Sequence, residues 1–341
     1  MRILVTALLA VATLPAFAGQ PAGIHFTHND WEVACDNTRT CRAAGYQADD
    51  ASTPAISVLL EREAGPARPV TATLKIGTYD ETAPLPKAGT VAMQVNGRAL
   101  GPVKIDREAM TGVLTAAQTQ ALLAAVSGTG TVQWTDGSHA WTLSGKGAAA
   151  VLLKMDEFQG RLGTTGALMR KGNKAEDAVP VSLPMPEVSP ASAGSTEVAL
   201  PPAARAALLR ELRGTLKADE CNAFAPEQLA VLRLNTGKLL VQAPCWTGAY
   251  NEGTGYWVAD KAAPFNPVLV TTGGSDYAAG TISSSQKGRG LGDCWATREW
   301  VWDGRRFALT QAATTGMCRL VAAGGAWHLP TFVARVTRGA R

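Results

Sequence analysis

ATREWVWDGRRFALTQ, residues 296–311, is the stretch on which the fold turns. Aromatic and β-branched side chains on both sides of Asp303-Gly304 read as two strands, because Asp-Gly adopts the positive φ that a two-residue hairpin loop demands. Alternate side chains of a strand share a face, so Trp300 and Trp302 point the same way, into a core or onto an aromatic ligand platform, with the core the preferred reading.

The same pattern repeats outward from this hairpin. Residues 239–242, 256–259 and 268–271 are short apolar runs separated by Gly, Asn or Pro. In the first half, residues 31–35, 56–60 and 70–76 read as strands, 91–95 is followed by Asn96-Gly97, and Asp136-Gly137 joins 132–134 to 141–143. Residues 115–126 break the pattern: Thr115 is a helix-capping residue, and Leu122, Leu123 and Val126 share one helical face. Residues 147–158 and 203–213 are also helical in pattern, the latter ended by Gly214, and Pro226 suggests the first turn of a further helix over 226–234.

Between Lys171 and Pro202 the composition changes to KGNKAEDAVPVSLPMPEVSPASAGSTEVALPP, rich in Pro and without an aromatic residue. Prolines remove backbone donors and favour extended chain, so the stretch reads as a linker. The expected architecture is mainly β (α+β), with two sandwich- or barrel-like β-rich domains, each carrying one or two packed helices. The boundaries are 1–18 for a signal peptide, 19–170, 171–202 for the linker, and 203–341.

The export expectation rests on Arg2, an apolar stretch over 3–14 and the small-x-small triplet Ala16-Phe17-Ala18, with cleavage after Ala18. No later apolar run approaches the length a membrane-spanning helix needs. Loss of Arg2 lowers the formal charge of +4 to +3. That bias is too small, and the basic residues too interleaved with acids, for nucleic acid to be the partner. The six cysteines all follow the signal segment, in a compartment where disulfides persist. Spacing alone does not decide among fifteen pairings, and neighbour pairing is preferred: Cys35–Cys41, Cys221–Cys245 and Cys294–Cys318.

Signs of catalysis are weak. Ser284 to Lys287 has an S-x-x-K spacing, but S-D-N, K-T-G and G-x-S-x-G are absent from the chain. Only His25 and His28, with Asp30 nearby, could make a local metal cluster, yet a third converging ligand is not evident, and no metal or cofactor is expected. The distinctive stretch is Lys287-Gly-Arg-Gly-Leu-Gly-Asp-Cys-Trp295. Three glycines around Arg289 and Asp293 make either a shaped turn held by an Arg–Asp contact or a rigid recognition loop. If the protein has a recognition site, it is expected around Tyr250, Asn251, Arg289, Asp293 and Trp295, with the planar Arg289 fork suited to carboxylates or phosphates.

Several motifs carry a family resemblance. DWEVACDNTRTCRAAGY (30–46), KGAAAVLLKMDEFQGRLGTTGAL (146–168), CWTGAYN (245–251), KGRGLGDCW (287–295) and EWVWDGRRFAL (299–309) resemble the bacterial family known as domain of unknown function 1176. Through the D-W-x-V-x-C opening and the helix before the linker, the chain is more distantly similar to the invasion-associated locus B proteins. The resemblance implies periplasmic export and brings no activity and no site residues. The expected function is therefore a non-enzymatic periplasmic or secreted envelope protein that binds a polymer, peptide or protein. The alternatives are a hydrolase of envelope material and a secreted inhibitor or host-facing factor.

Overall fold

The computed structural model describes residues 23–50, 53–217, 220, 221, 224 and 226–337; the signal segment 1–18 lies outside the described residues. The first half runs β1 (Ile24–His28), β2 (Trp31–Cys35), β3 (Cys41–Tyr46), β4 (Ile56–Arg62), β5 (Thr71–Ile76), β6 (Thr90–Val95), β7 (Arg98–Lys104), β8 (Thr111–Val113), α1 (Ala116–Val126), β9 (Val132–Thr135), β10 (Ala140–Leu143) and α2 (Ala148–Phe158). The proline-rich stretch contributes β11 (Glu187–Val188) and β12 (Thr196–Glu197). The second half runs α3 (Pro202–Gly214), β13 (Ala230–Arg233), β14 (Lys238–Thr247), β15 (Glu252–Asp260), β16 (Val268–Gly274), β17 (Asp276–Ala278), β18 (Thr281–Lys287), β19 (Trp295–Trp302), β20 (Phe307–Thr314), β21 (Leu329–Val333) and β22 (Arg335–Val336).

The molecule is mainly β, with open antiparallel sheets and no closed barrel among the described residues. In the first half a six-stranded sheet, β1-β2-β3-β4-β5-β8, shares one core with a four-stranded sheet, β10-β9-β6-β7, and with both helices. Trp31, Trp134 and Trp141 are fully buried there, and buried side chains of this class contribute on the order of 1.5–3 kcal/mol each. Asn96 and Gly97 both take positive φ at the β6–β7 turn, the conformation the hairpin reading anticipates. Thr115 caps α1 in a reciprocal box: its hydroxyl accepts from Gln118 N, and the Gln118 side chain accepts from Thr115 N.

The second half is built of two five-stranded sheets, β12-β13-β14-β15-β16 and β17-β18-β19-β20-β21. Alternation along β14 buries Leu239, Val241 and Ala243 against α3, and Leu240 against the second sheet. Trp300 and Trp302 both lie in the core between the sheets. The helix expected over 226–234 is corrected. Only Pro226–Gln228 turns, as a single 3₁₀ turn, and the chain then extends as β13. Leu229 and Val231 are buried two apart, and Val231 pairs with Val241 of β14, so cross-strand burial outweighs the helix-start signal of the proline.

Residues 171–202, which the sequence reads as a linker, run as a strap bonded to both halves. Glu176 accepts from Arg161, and Leu183 N donates to Thr38 O at 3.2 Å. Further along, β11 pairs in parallel with β22, Ala191 N donates to Trp302 O at 2.9 Å, and β12 forms the edge of the sheet beside β13.

The halves also meet directly. Ala34, Ala44 and Tyr46 pack with Val321, Ala326 and Leu329 in a shared apolar cluster. Beside it the buried Glu32 carboxylate accepts from Tyr46 Oη and Met317 N, both at 2.6 Å, and lies 2.8 Å from His25 Nε2. Asn37 clamps Val333 by donating to its carbonyl and accepting from its N–H.

Candidate functional site

Loop 287–295 joins β18 to β19, and the structure gathers all five expected recognition residues around it. Asn251 clamps Lys287 at both backbone groups, each bond 2.9 Å. Tyr250 Oη donates to Gly288 O at 3.3 Å, and Trp295 Nε1 donates to Gly292 O at 2.9 Å. Lys287 Nζ stands 5.4 Å from the centre of the Trp295 ring. Gly288 is required by close approach, because a Cβ there would lie 2.7 Å from Cys294 Sγ and 3.0 Å from Cys318 Sγ.

Arg289 meets Asp293 through two parallel bonds, Nε to Oδ1 at 2.8 Å and Nη2 to Oδ2 at 2.6 Å. The Asp293 side chain is 0% exposed and that of Arg289 38%. Burial opposes ionisation of Asp293, but Arg289 and the Leu320 N–H hold its carboxyl below the usual aspartate range, and the same pairing raises the Arg289 guanidinium. The fork on which carboxylate or phosphate recognition was to rest is thus occupied by a carboxylate of the protein itself.

The three cysteine pairs lie at disulfide distance: Cys35 and Cys41 with Cα atoms 4.0 Å apart, Cys221 and Cys245 at 4.4 Å, and Cys294 and Cys318 at 4.9 Å. The third pair ties the loop to the segment after β20 that docks on the first half.

At this junction the structure forms a cleft of about 360 Å³. Gln47, Asp49, Tyr79 and Asp80 line one side, and Arg289, Arg319 and Leu320 the other. Tyr79 Oη donates to Leu291 O at 2.8 Å, anchoring the loop from across the cleft. Arg319 is neutralised from below by Asp30 at 2.8 Å, with Asp49 3.0 Å from its other terminal nitrogen. Asp80 accepts from Thr82 through both the backbone N–H and the hydroxyl, which lowers its pKa and keeps it ionised. The residues of the first-half wall sit more than two hundred positions from the loop, and none belongs to a motif, so sequence reasoning missed them.

The other catalytic hints come apart in space. Ser284 and Lys287 lie on a strand, where positions three apart face opposite ways, and the Ser284 hydroxyl donates to Gly273 O at 2.6 Å. His25 is bonded to Glu32, while Asp30 accepts from Arg319 and Ser144.

A curated relative, "Uncharacterized protein YpfG" of Escherichia coli (strain K12), is 25% identical over 355 residues, covering 97% of each chain. No solved structure matches the chain. The family model described as "Protein of unknown function (DUF1176)" matches residues 25–334, and the chain belongs to that family.

Proposed function

We propose that the protein is an exported, non-enzymatic binding protein of the cell envelope, and that its inter-half cleft takes a polypeptide partner through a cationic side chain. The observation that carries this reading is the charge arrangement of the cleft. Both arginines already face buried aspartates, Asp293 and Asp30, while Asp49, which also meets Arg319, is 81% exposed at the rim and Asp80 faces no cation among the described residues. A net acidic rim over a rigid floor suits lysine or arginine on an extended partner, because a pre-ordered loop loses little entropy on binding. Three disulfide-distance cysteine pairs support export to an oxidising compartment, and no helix among the described residues is long and apolar enough to cross a membrane.

Fluorescence anisotropy with labelled lysine-rich, serine/glycine and glutamate-rich peptides of equal length tests the reading. The lysine-rich peptide should bind best, and less well as salt rises. The double change Asp49→Asn with Asp80→Asn should weaken it roughly five- to tenfold, since an exposed ion pair contributes about 0.2–1 kcal/mol. Equal or tighter binding of the glutamate-rich peptide would sink the proposal.

A further inference from the structure

The apolar core between the two sheets of the second half ends in a polar mouth that shares no lining residue with the inter-half cleft. Ala230, Gln242 and Tyr256 are consecutive cross-strand partners and so stand on one face of their sheet. Past the apolar Leu240 and Val258, that face carries Gln242, Thr254 and Tyr256. The chain leaves β16 at Gly274 and enters the second sheet at Ser275, whose N–H donates to Ser283 O at 2.8 Å, and this crossing closes the mouth with Asp276 and Tyr277. Gly274 lacks a side chain where one would collide with the Tyr256 ring. The resulting pocket measures about 350 Å³.

Tyr256 is the telling residue. Its side chain is all but enclosed, with the residue 3% exposed, yet its hydroxyl has no hydrogen-bond partner among the described residues. Although the residue is buried, this hydroxyl opens onto the pocket, where it is free to bond a ligand in place of solvent. Burial and the neighbouring Asp276 carboxylate push its pKa up to about 12, so it is a hydroxyl and a donor throughout the physiological range. Around it the Gln242 amide both donates and accepts, the Thr254 hydroxyl does the same, and the Asp276 carboxylate accepts at two oxygens. These groups also make no side-chain bond to the protein among the described residues. Tyr277 adds a half-buried ring held edge-on by Phe307 at 6.1 Å. Among the described residues the pocket lining holds no lysine or arginine and carries the Asp276 carboxylate, which disfavours phosphate and carboxylate ligands.

We propose that this mouth is a saccharide-binding site that takes a neutral sugar ring. Adjacent hydroxyls on a pyranose each donate and accept, and their spacing matches a carboxylate or an amide bridging two of them, while the C–H face of the ring suits the tyrosine rings.

Saturation-transfer-difference NMR and isothermal titration of the oxidised protein with maltotriose, cellotriose and tri-N-acetylchitotriose provide the test. At least one trisaccharide should give a saturable signal, and Asp276→Ala, Gln242→Ala and Tyr256→Phe should each weaken it by about fivefold or more. Tyr256→Phe keeps the ring and removes only the open hydroxyl, so its melting temperature should stay level or rise while sugar affinity falls. Asp49→Asn, in the other cleft, should leave sugar binding unchanged. Silence from all three sugars, or binding indifferent to all three pocket changes, overturns the proposal; so does a preference of the pocket for free lysine over every sugar.

Discussion

At the scale of single residues, the Arg289–Asp293 pair decides how the glycine-rich loop is understood. Asp293 is a fully enclosed carboxylate whose charge is answered by Arg289 and the Leu320 N–H. Arg289→Ala should therefore cost stability, about 1–3 kcal/mol by urea denaturation, because it strands a buried charge. A variant that keeps its stability and loses peptide binding would return Arg289 to direct recognition. The pair also sets a pH dependence. The folded pKa of Asp293 lies below its unfolded value near 3.8, so its stabilisation is complete above that value and disappears as the pH falls from about 4 through the folded pKa. Denaturation midpoints between pH 7 and pH 2 should show this loss in the wild type and a reduced loss in Asp293→Asn. The sequence displays the i, i+4 spacing of the pair and the flanking glycines, so the contact was legible as one of two readings. The burial that gives it weight was not, because it comes from Leu320 and the Cys294–Cys318 pair.

Among elements, legibility follows how local the determinant is. Thr115 with Gln118 announces α1 within four residues, and Asn96-Gly97 announces the β6–β7 hairpin in two. The stretch 226–234 misleads because its determinant is a neighbour: Val231 opposite Val241 and Leu232 opposite Leu240 make it a strand. The two short strands of the strap escaped notice for the same reason, each having only two residues and a distant partner. The loop 287–295 offers a test at this scale. Gly288→Ala would drive a methyl group against both sulfurs of the Cys294–Cys318 pair, and overpacking of this kind typically costs 1–3 kcal/mol. The expected result is a lower melting temperature together with faster proteolysis at the loop. An unchanged melting temperature would show that the loop can move off the bridge without loss.

For the whole molecule, the sequence expectation of two halves joined by a linker meets a structure in which they share an apolar cluster and the buried Glu32 network. Glu32 belongs to the first half, yet one of its donors is Met317 N of the second. Parting the halves leaves that carboxylate with a bond unmade and exposes Val321 and Leu329. Calorimetry of the oxidised full chain should therefore give one cooperative transition. Two separated transitions, with one reproduced by a 203–341 fragment, would show that the shared cluster does not couple them. The inter-half cleft could not be read in advance, since its walls come from opposite ends of the chain and no spacing relates Asp80 to Arg319.

The parallel pairing of β11 with β22 has a bearing on how the protein comes into being. Residues 187 and 188 find their partners only at 335 and 336, 148 positions further along the chain. A growing chain can assemble its early sheets as they appear, but β11 stays unpaired until β22 has emerged. A chain clipped before Arg335 would keep every strand partner of the first sheet and lose that of β11, so it is expected to be cut faster around residues 187 and 188 than the longer chain.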